Sequence, residues 1–439
     1  MLARATACAS AQTGPLAGPD AGGVGNAVSR AVPSIAMAGP TRSAAGRLAP
    51  LIVAAAGVAI LILVARSFIG SSGFAYDFEA YHSAARRLVD GLPLYPPGAA
   101  EAYNSGAYQG LYLYAPPLAI AMMPIAQVDL QAAAVAWLWL RVAVLIAAIA
   151  ILPISRGARA GTIAVAALTF PVWYDLNLGN VSVVLFALSA IVWRYRTSPV
   201  AAVALAFAGV VRYPFAIVGL ALVLARRFRQ VASTIVAGLL ICAATLAVVG
   251  VSGWLDYVRF VGALRDLSGG EQHLSLANTA AALGLPGPSG AWVGLGIAIA
   301  LAATWMAARR RDFEIAVVVS LTATLLFAPF FHPHYLVQLL VPAAYLAGRG
   351  QWWGLALPLL GWLPGEVQPL AAVLGIVAPL LPPEFLATAR GDGLSESRSG
   401  AGTGSGRDPR PPEAQDPAAV ASAIPAGPPS GWARSPSGT

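Results

Sequence analysis

Four short segments hold most of the side chains able to do chemistry in this 439-residue chain, in which only 10% of residues are charged. They are Tyr76-Asp77-Phe78-Glu79-Ala80-Tyr81-His82, Asn177-Leu178-Gly179-Asn180, Arg212-Tyr213-Pro214 and Phe331-His332-Pro333-His334-Tyr335. Asp77 fits an N-cap for a helix over 78–89, whose carboxylate would accept amide hydrogens of the first turn. Phe78, Tyr81, Ala85 and Leu88 would make its apolar face and Gly91 its stop, an amphipathic helix lying on a membrane surface. On that reading Asp77 is only a cap; the other reading gives its carboxylate a chemical part. Arg212 stands between two short apolar segments, apart from the other arginine clusters, and its planar fork suits a phosphate. The plain alternative is an arginine snorkelling to a lipid interface. A lone histidine is usually a structural hydrogen-bonder, but His332 and His334 flank Pro333 at the edge of an apolar run. A metal site would need a third ligand that the neighbouring sequence lacks, so no metal is expected. Asn177 and Asn180 either bind ligand hydroxyls or cap the helix starting near Val181.

The elements that position these residues follow from composition. Hydrophobic residues make up 58% of the chain, where a soluble domain carries about 25% charged residues. Apolar runs approaching the ~20 residues that cross a bilayer fill positions 50 to 386. They are Ala/Leu/Val-rich and long, so they read as helices and not barrel strands. The fold expected is an all-α polytopic membrane protein of about twelve transmembrane helices. Its spans would be near 50–67, 131–152, 160–174, 178–195, 199–212, 213–226, 231–251, 290–308, 313–330, 333–348, 351–365 and 368–386. Residues 1–47, which lack the apolar core of a secretory signal peptide, and 389–439 read as disordered tails around a membrane domain over 48–388. Cys8 and Cys242 suggest neither a disulfide framework nor a metal site.

The net charge is +8 and every basic residue is arginine. The arginines form short clusters between apolar runs, the positive-inside pattern of cytoplasmic loops, and do not point to nucleic acid. Segment 114–127 decides the parity, because it opens Tyr114-Ala115-Pro116-Pro117 and closes at Pro124. If it does not cross, Arg42/Arg47, Arg156/Arg159, Arg194/Arg196, Arg226/Arg227/Arg229, Arg309/Arg310/Arg311, Arg349 and Arg390 all fall inside. That assignment leaves both termini in the cytoplasm. Loop 68–130, the turn 177–180, loop 252–289 and the two histidines then lie outside. Polar residues collected on one side at membrane depth mark a site.

The segments also carry a resemblance. Asp77-Phe78-x-x-Tyr81-x-x-Ala84-Ala85, then Gly91, Leu94-Tyr95-Pro96 and Tyr114-x-Pro116-Pro117, resembles glycosyltransferase family 87. So do Asn177-Leu178-Gly179-Asn180, Arg212-Tyr213-Pro214 and the run from Pro329 to Tyr335. Asn180 departs from the Asn-x-Gly-Gln seen in many relatives. The resemblance covers about residues 50–386 and implies a GT-C-like membrane mannosyltransferase with juxtamembrane helices on the outer face of a bacterial cytoplasmic membrane. It implies a polyprenyl-phosphate-linked sugar donor and a glycolipid or glycan acceptor.

Such a donor brings its own leaving group, so no nucleotide pocket or cofactor is needed; the chain has no G-x-G-x-x-G, P-loop or Asp-x-Asp. The attacking hydroxyl needs a base, and Asp77 is the best-placed acidic residue on the expected outer face. Asp256 is the runner-up and Glu79 a weaker choice. Arg212, His332 and His334 would meet the leaving phosphate. Asn177, Asn180, Tyr81 and Tyr114 would touch sugar or lipid, with Tyr95 and Trp254 as further aromatic platforms, although aromatic belts are the default for such residues. Asp266, Glu271 and His273 read as solvated loop residues. The rival function is a flippase or transporter of lipid-linked sugars, which broken helices would also suit. It predicts symmetry between halves, and the sequence has no convincing internal repeat.

Overall fold

The computed structural model describes residues 44–105, 111–263, 274–328 and 331–382. The expected disordered tails, apart from 44–47, lie outside these residues, as do Asp266, Glu271, His273, Pro329 and Phe330. The chain divides into two units, Met1–Pro379 and Leu380–Thr439, and every element below that bears on the site belongs to the first.

Among the described residues the secondary structure is helical, with one isolated bridge between Leu274 and Phe331 and no strand. Helix α1 (Ala44–Phe68) runs into a turn rich in Gly and Ser, and α2 (Tyr76–Val89) follows. Two short helices, α3 (Ala99–Asn104) and α4 (Pro116–Met122), precede α5 (Leu130–Ile151). Asp129 caps α5, its carboxylate accepting from the amides of Gln131 and Ala132. Ser155 caps α6 (Arg156–Leu168), which leads through Thr169 to α7 (Phe170–Leu178) and α8 (Ser182–Arg194). Ser198 and Pro199 start α9 (Pro199–Val211); Arg212 breaks it from a 3-10 turn and α10 (Ala216–Leu224). The long α11 (Phe228–Ala263) bends at Gly250, where φ is 66° and ψ 178°. After α12 (Leu276–Ala282) come α13 (Ser289–Arg309) and α14 (Phe313–Phe327). A 3-10 segment from Pro333 to Leu339 feeds α15 (Leu340–Gly348), and α16 (Gln368–Val377) closes the unit.

The all-helical expectation holds, and the apolar helices make this a membrane protein, but the count of twelve crossings is not reproduced by helix length. Four helices among the described residues are long and apolar enough to span: Leu48–Phe68, α5, α11 and α13, or five if the bent pair α7–α8 is one span. The remaining expected spans correspond to shorter apolar helices such as α9 and α14, or to 3-10 turns such as Trp352–Trp362. Two of these expected spans are buried in protein, since nearly every residue of α14 and α15 is inaccessible. By contrast α1 and α11 expose Leu51, Ile52, Leu63, Leu239 and Leu240, as helices facing lipid would. Segment 114–127 forms only the seven-residue α4 and a 3-10 turn. At ~1.5 Å per residue α4 spans about 10 Å, far short of the ~30 Å hydrocarbon layer.

Helix α2 packs against α4, its following 3-10 turn, α5 and α7. Its start differs from the expected cap. Helix α2 begins at Tyr76, and Ala75 precedes it in the left-handed region at φ 63° with no side-chain cap. Ala75 is held there by its amide, which donates to the Asn177 carbonyl at 2.7 Å. Asp77 is therefore the second residue of the helix, and its carboxylate is not used as a cap.

Candidate active site

The freed Asp77 carboxylate meets the α7–α8 bend. Helices α7 and α8 are bent by 120° at their break, and Gly179 makes the turn at φ 82°. A Cβ at Gly179 would stand 2.6 Å from Phe78 Cβ and 3.1 Å from Phe78 N, so α2 can sit against the turn only if this residue is glycine. The next residue, Asn180, donates from Nδ2 to Asp77 Oδ2 at 2.8 Å. Its Oδ1 accepts from the Ser182 amide at 3.2 Å and from Ser182 Oγ at 3.0 Å. Asn180 thus serves the start of α8 and holds Asp77 at once. Burial pushes the Asp77 carboxyl above its ordinary value, while the Asn180 hydrogen bond and the Arg141 charge pull it back. Asn177 lies on the other side of the turn, where its Oδ1 accepts from Ser71 Oγ at 3.2 Å. Glu79 is exposed.

Arg141 and Asp175 were not singled out from sequence. Arg141 is 1% exposed and Asp175 0%, and Nη1 meets Oδ2 at 3.2 Å. Arg141 also donates to the carbonyls of Asp175 at 2.6 Å and Leu176 at 2.9 Å, with a longer contact to Asn180 O at 3.4 Å. Asp175 Oδ1 accepts from the Ser182 amide at 3.0 Å. Trp137, whose ring lies 5.7 Å from the Arg141 guanidinium carbon, donates to the Gly179 carbonyl at 2.8 Å. The signal that could have found the pair was an arginine inside an apolar run read as a span, since an ionisable residue at that depth marks function or a partner.

One helical turn after Asp77 on α2, Tyr81 begins a row of phenols. Tyr81 Oη donates to Tyr114 Oη at 3.5 Å, and Tyr114 Oη lies 3.0 Å from Tyr335 Oη. Burial pushes the Tyr81 and Tyr114 phenols well above their ordinary value, so both remain neutral. The Arg212 guanidinium carbon stands 3.1 Å from the centre of the Tyr335 ring. No hydrogen bond commits the Arg212 guanidinium to a protein acceptor among the described residues, so stacking holds the fork while its N–H groups stay available. His332 and His334 stack at 5.3 Å and 15°, and His334 packs edge-on against Tyr335 at 4.3 Å. His334 is buried with both ring nitrogens unpaired among the described residues.

Not every expected residue joins this group. Trp254 donates to Thr245 Oγ1 at 3.1 Å beside the Gly250 bend, and Tyr257 and Phe260 pack on Tyr95 at 5.7 and 5.5 Å. Tyr95 itself donates to the Tyr114 carbonyl at 2.6 Å, bracing the phenol row from behind. Asp256 pairs with Arg259 at 3.2 Å on an exposed face, where it is a solvated helix residue. Among the described residues no three His, Cys, Asp or Glu side chains gather as a metal site.

A held carboxylate, a row of phenols and an arginine with an uncommitted fork mark a polar site in a helical membrane protein. The chain belongs to glycosyltransferase family 87, whose family model matches residues 112–333, just over half its length. It is accordingly a membrane glycosyltransferase. The matched stretch contains Tyr114, Arg141, Asp175, Asn177, Asn180, Arg212 and His332; Asp77 and Tyr81 precede it and His334 follows it. No curated protein and no solved structure matches the chain.

Proposed function

We propose that the protein is an inverting mannosyltransferase that moves mannose from polyprenyl-phosphate-mannose to a lipid- or polymer-linked glycan at the outer face of a bacterial cytoplasmic membrane. The observation that carries this reading is a half-buried carboxylate, Asp77, on the same helix as a phenol that leads to an arginine with an uncommitted fork, Arg212. Tyr81, one helical turn after Asp77, is joined through Tyr114 to Tyr335, on which Arg212 stacks. Asp77 takes the proton of the acceptor hydroxyl as that oxygen bonds to the anomeric carbon. The bond from that carbon to the phosphate oxygen breaks in the same displacement, and its electron pair leaves with polyprenyl phosphate. Arg212, with His332 and His334 beside it, offsets the charge that grows on the phosphate. One displacement inverts the centre and needs one acid/base group and no covalent intermediate. Tyr81 and Tyr114 supply the flat, hydroxyl-bearing wall for the sugar or the lipid, Asn177 a contact on the α7 side, and Asn180 orients the base.

The reading is tested by incubating membranes bearing the protein with radiolabelled polyprenyl-phosphate-mannose. Label is expected in a more polar glycolipid or glycan. Donor bound and moved across the bilayer with no label transferred would support a flippase instead.

A further inference from the structure

We propose that Arg141 and Asp175 are positioning residues: the buried pair fixes the bend between α7 and α8 so that Asn180 aims its amide at the Asp77 carboxylate. The inference rests on Asp77 being the base.

The geometry gives the pair a task that packing alone does not. Two buried charges add little to stability, because the loss of hydration offsets their attraction. Here the Arg141 fork instead takes up carbonyls at the C-terminal end of α7, Asp175 O and Leu176 O, and reaches Asn180 O beyond the turn. Leu176 O is a group that the end of a helix leaves without an intrahelical donor, whereas Asp175 O also accepts from the Gly179 and Asn180 amides at 3.0 and 3.3 Å, so the fork joins a carbonyl already tied to the turn. Asp175 accepts the first amide of α8 from Ser182, so the two side chains join the last turn of α7 to the first turn of α8. With Gly179 closing the turn, the Asn180 side chain is left one arrangement. Its oxygen receives two donors from Ser182, and its NH2 faces Asp77 Oδ2 at 2.8 Å. From Arg141 to the reacting carboxylate one route runs through Asn180 alone, by its backbone carbonyl, and another through Asp175, Ser182 and Asn180, each step a hydrogen bond.

The charged and titratable groups around Asp77 are Glu79, Tyr81 and His82 on its own helix, Arg141 on α5, Tyr174 and Asp175 on α7, and Tyr114 in the loop before α4; neither α4 nor its following 3-10 turn carries one. Of these, Arg141 is the positive charge acting on Asp77, and it works in the same direction as the Asn180 hydrogen bond, towards the ionised form. Loss of either raises the carboxyl's pKa. A base must be ionised to act, so transfer is lost as pH falls through that value, and the acid limb of the rate moves to higher pH when either support is removed.

The test is the pH profile of mannosyl transfer, with kcat and donor KM, for Asn180→Ala, Arg141→Lys and Asp77→Asn, each checked for folded protein by thermal melting in detergent. Asn180→Ala is expected to lower kcat about tenfold or more with donor KM little changed, and to shift the acid limb upward. Arg141→Lys keeps the charge but not the fork; because Asn180 then loses its aim, kcat is expected to fall and the acid limb to shift upward as in Asn180→Ala, and a folded Arg141→Lys with parent-like kcat and limb overturns the inference. If Arg141→Lys does not fold, Asn180→Ala, whose side chain lies outside the ion pair, decides alone. Folded Asn180→Ala with an unmoved acid limb overturns the inference, whether kcat falls or not. Asp77→Asn separates the two layers. Retained transfer in that variant removes Asp77 as base, whereas its inactivity together with an unmoved limb in Asn180→Ala removes only the positioning role.

Discussion

One hydrogen bond, from Asn180 Nδ2 to Asp77 Oδ2, joins the helix that carries the proposed base to the bend that supports it. At this scale the polar residues of the site were legible because each is costly inside a membrane protein. Asp77, Arg212, His332 and His334 stand out against apolar neighbours, and the structure brings Arg212 and both histidines around Tyr335. The cap assigned to Asp77 was wrong because Ala75 takes a left-handed conformation secured by Asn177 O, a contact across about a hundred residues that no local pattern encodes. Arg212 yields a sharp prediction. Its fork lies flat on Tyr335, and a lysine neither stacks nor bonds in that way. Arg212→Lys is expected to lose about 10²-fold or more in kcat, the cost of removing a transition-state donor, with the protein still folded. Parent-like kcat in that variant would remove Arg212 from the phosphate.

Among elements, the bend α7–α8 matters more than any straight helix, and helix lengths were read less well than their apolar character. The expected span 213–226 is a 3-10 turn with a nine-residue helix, and 351–365 is mostly 3-10. An apolar run reports burial, and a segment buried by neighbouring helices is as apolar as one facing lipid. The span 231–251 and the start of the loop expected over 252–289 are two arms of α11, separated at Gly250, whose φ of 66° hydrophobicity does not reveal. Gly179 tests the bend directly. Gly179→Ala forces a left-handed alanine and a 2.6 Å approach to Phe78 Cβ. It is expected to destabilise the protein by about 1–3 kcal/mol. Because α2 must then move off the turn, transfer should fall more steeply than the melting temperature implies. Full activity at parent stability would show that the close contact is not needed.

For the whole molecule, membrane residence was plain from composition, whereas the arrangement that gathers the site was not. Arg141 meets Asp175 only because α5 packs against the bent pair, so the sequence shows an arginine inside an apolar run but not the partner it pairs with. The arginine clusters predict one orientation. A reporter fused after Arg156 should read cytoplasmic and one inserted at Leu285 should read outside; the reverse pair would put the site on the inner face. The central claim is that Asp77 takes the acceptor's proton, and transfer by Asp77→Asn measures it most directly. With labelled polyprenyl-phosphate-mannose and membranes holding equal folded protein, the variant should bind donor as the parent does and transfer about 10²–10⁴-fold more slowly. Transfer at the parent rate would contradict the account.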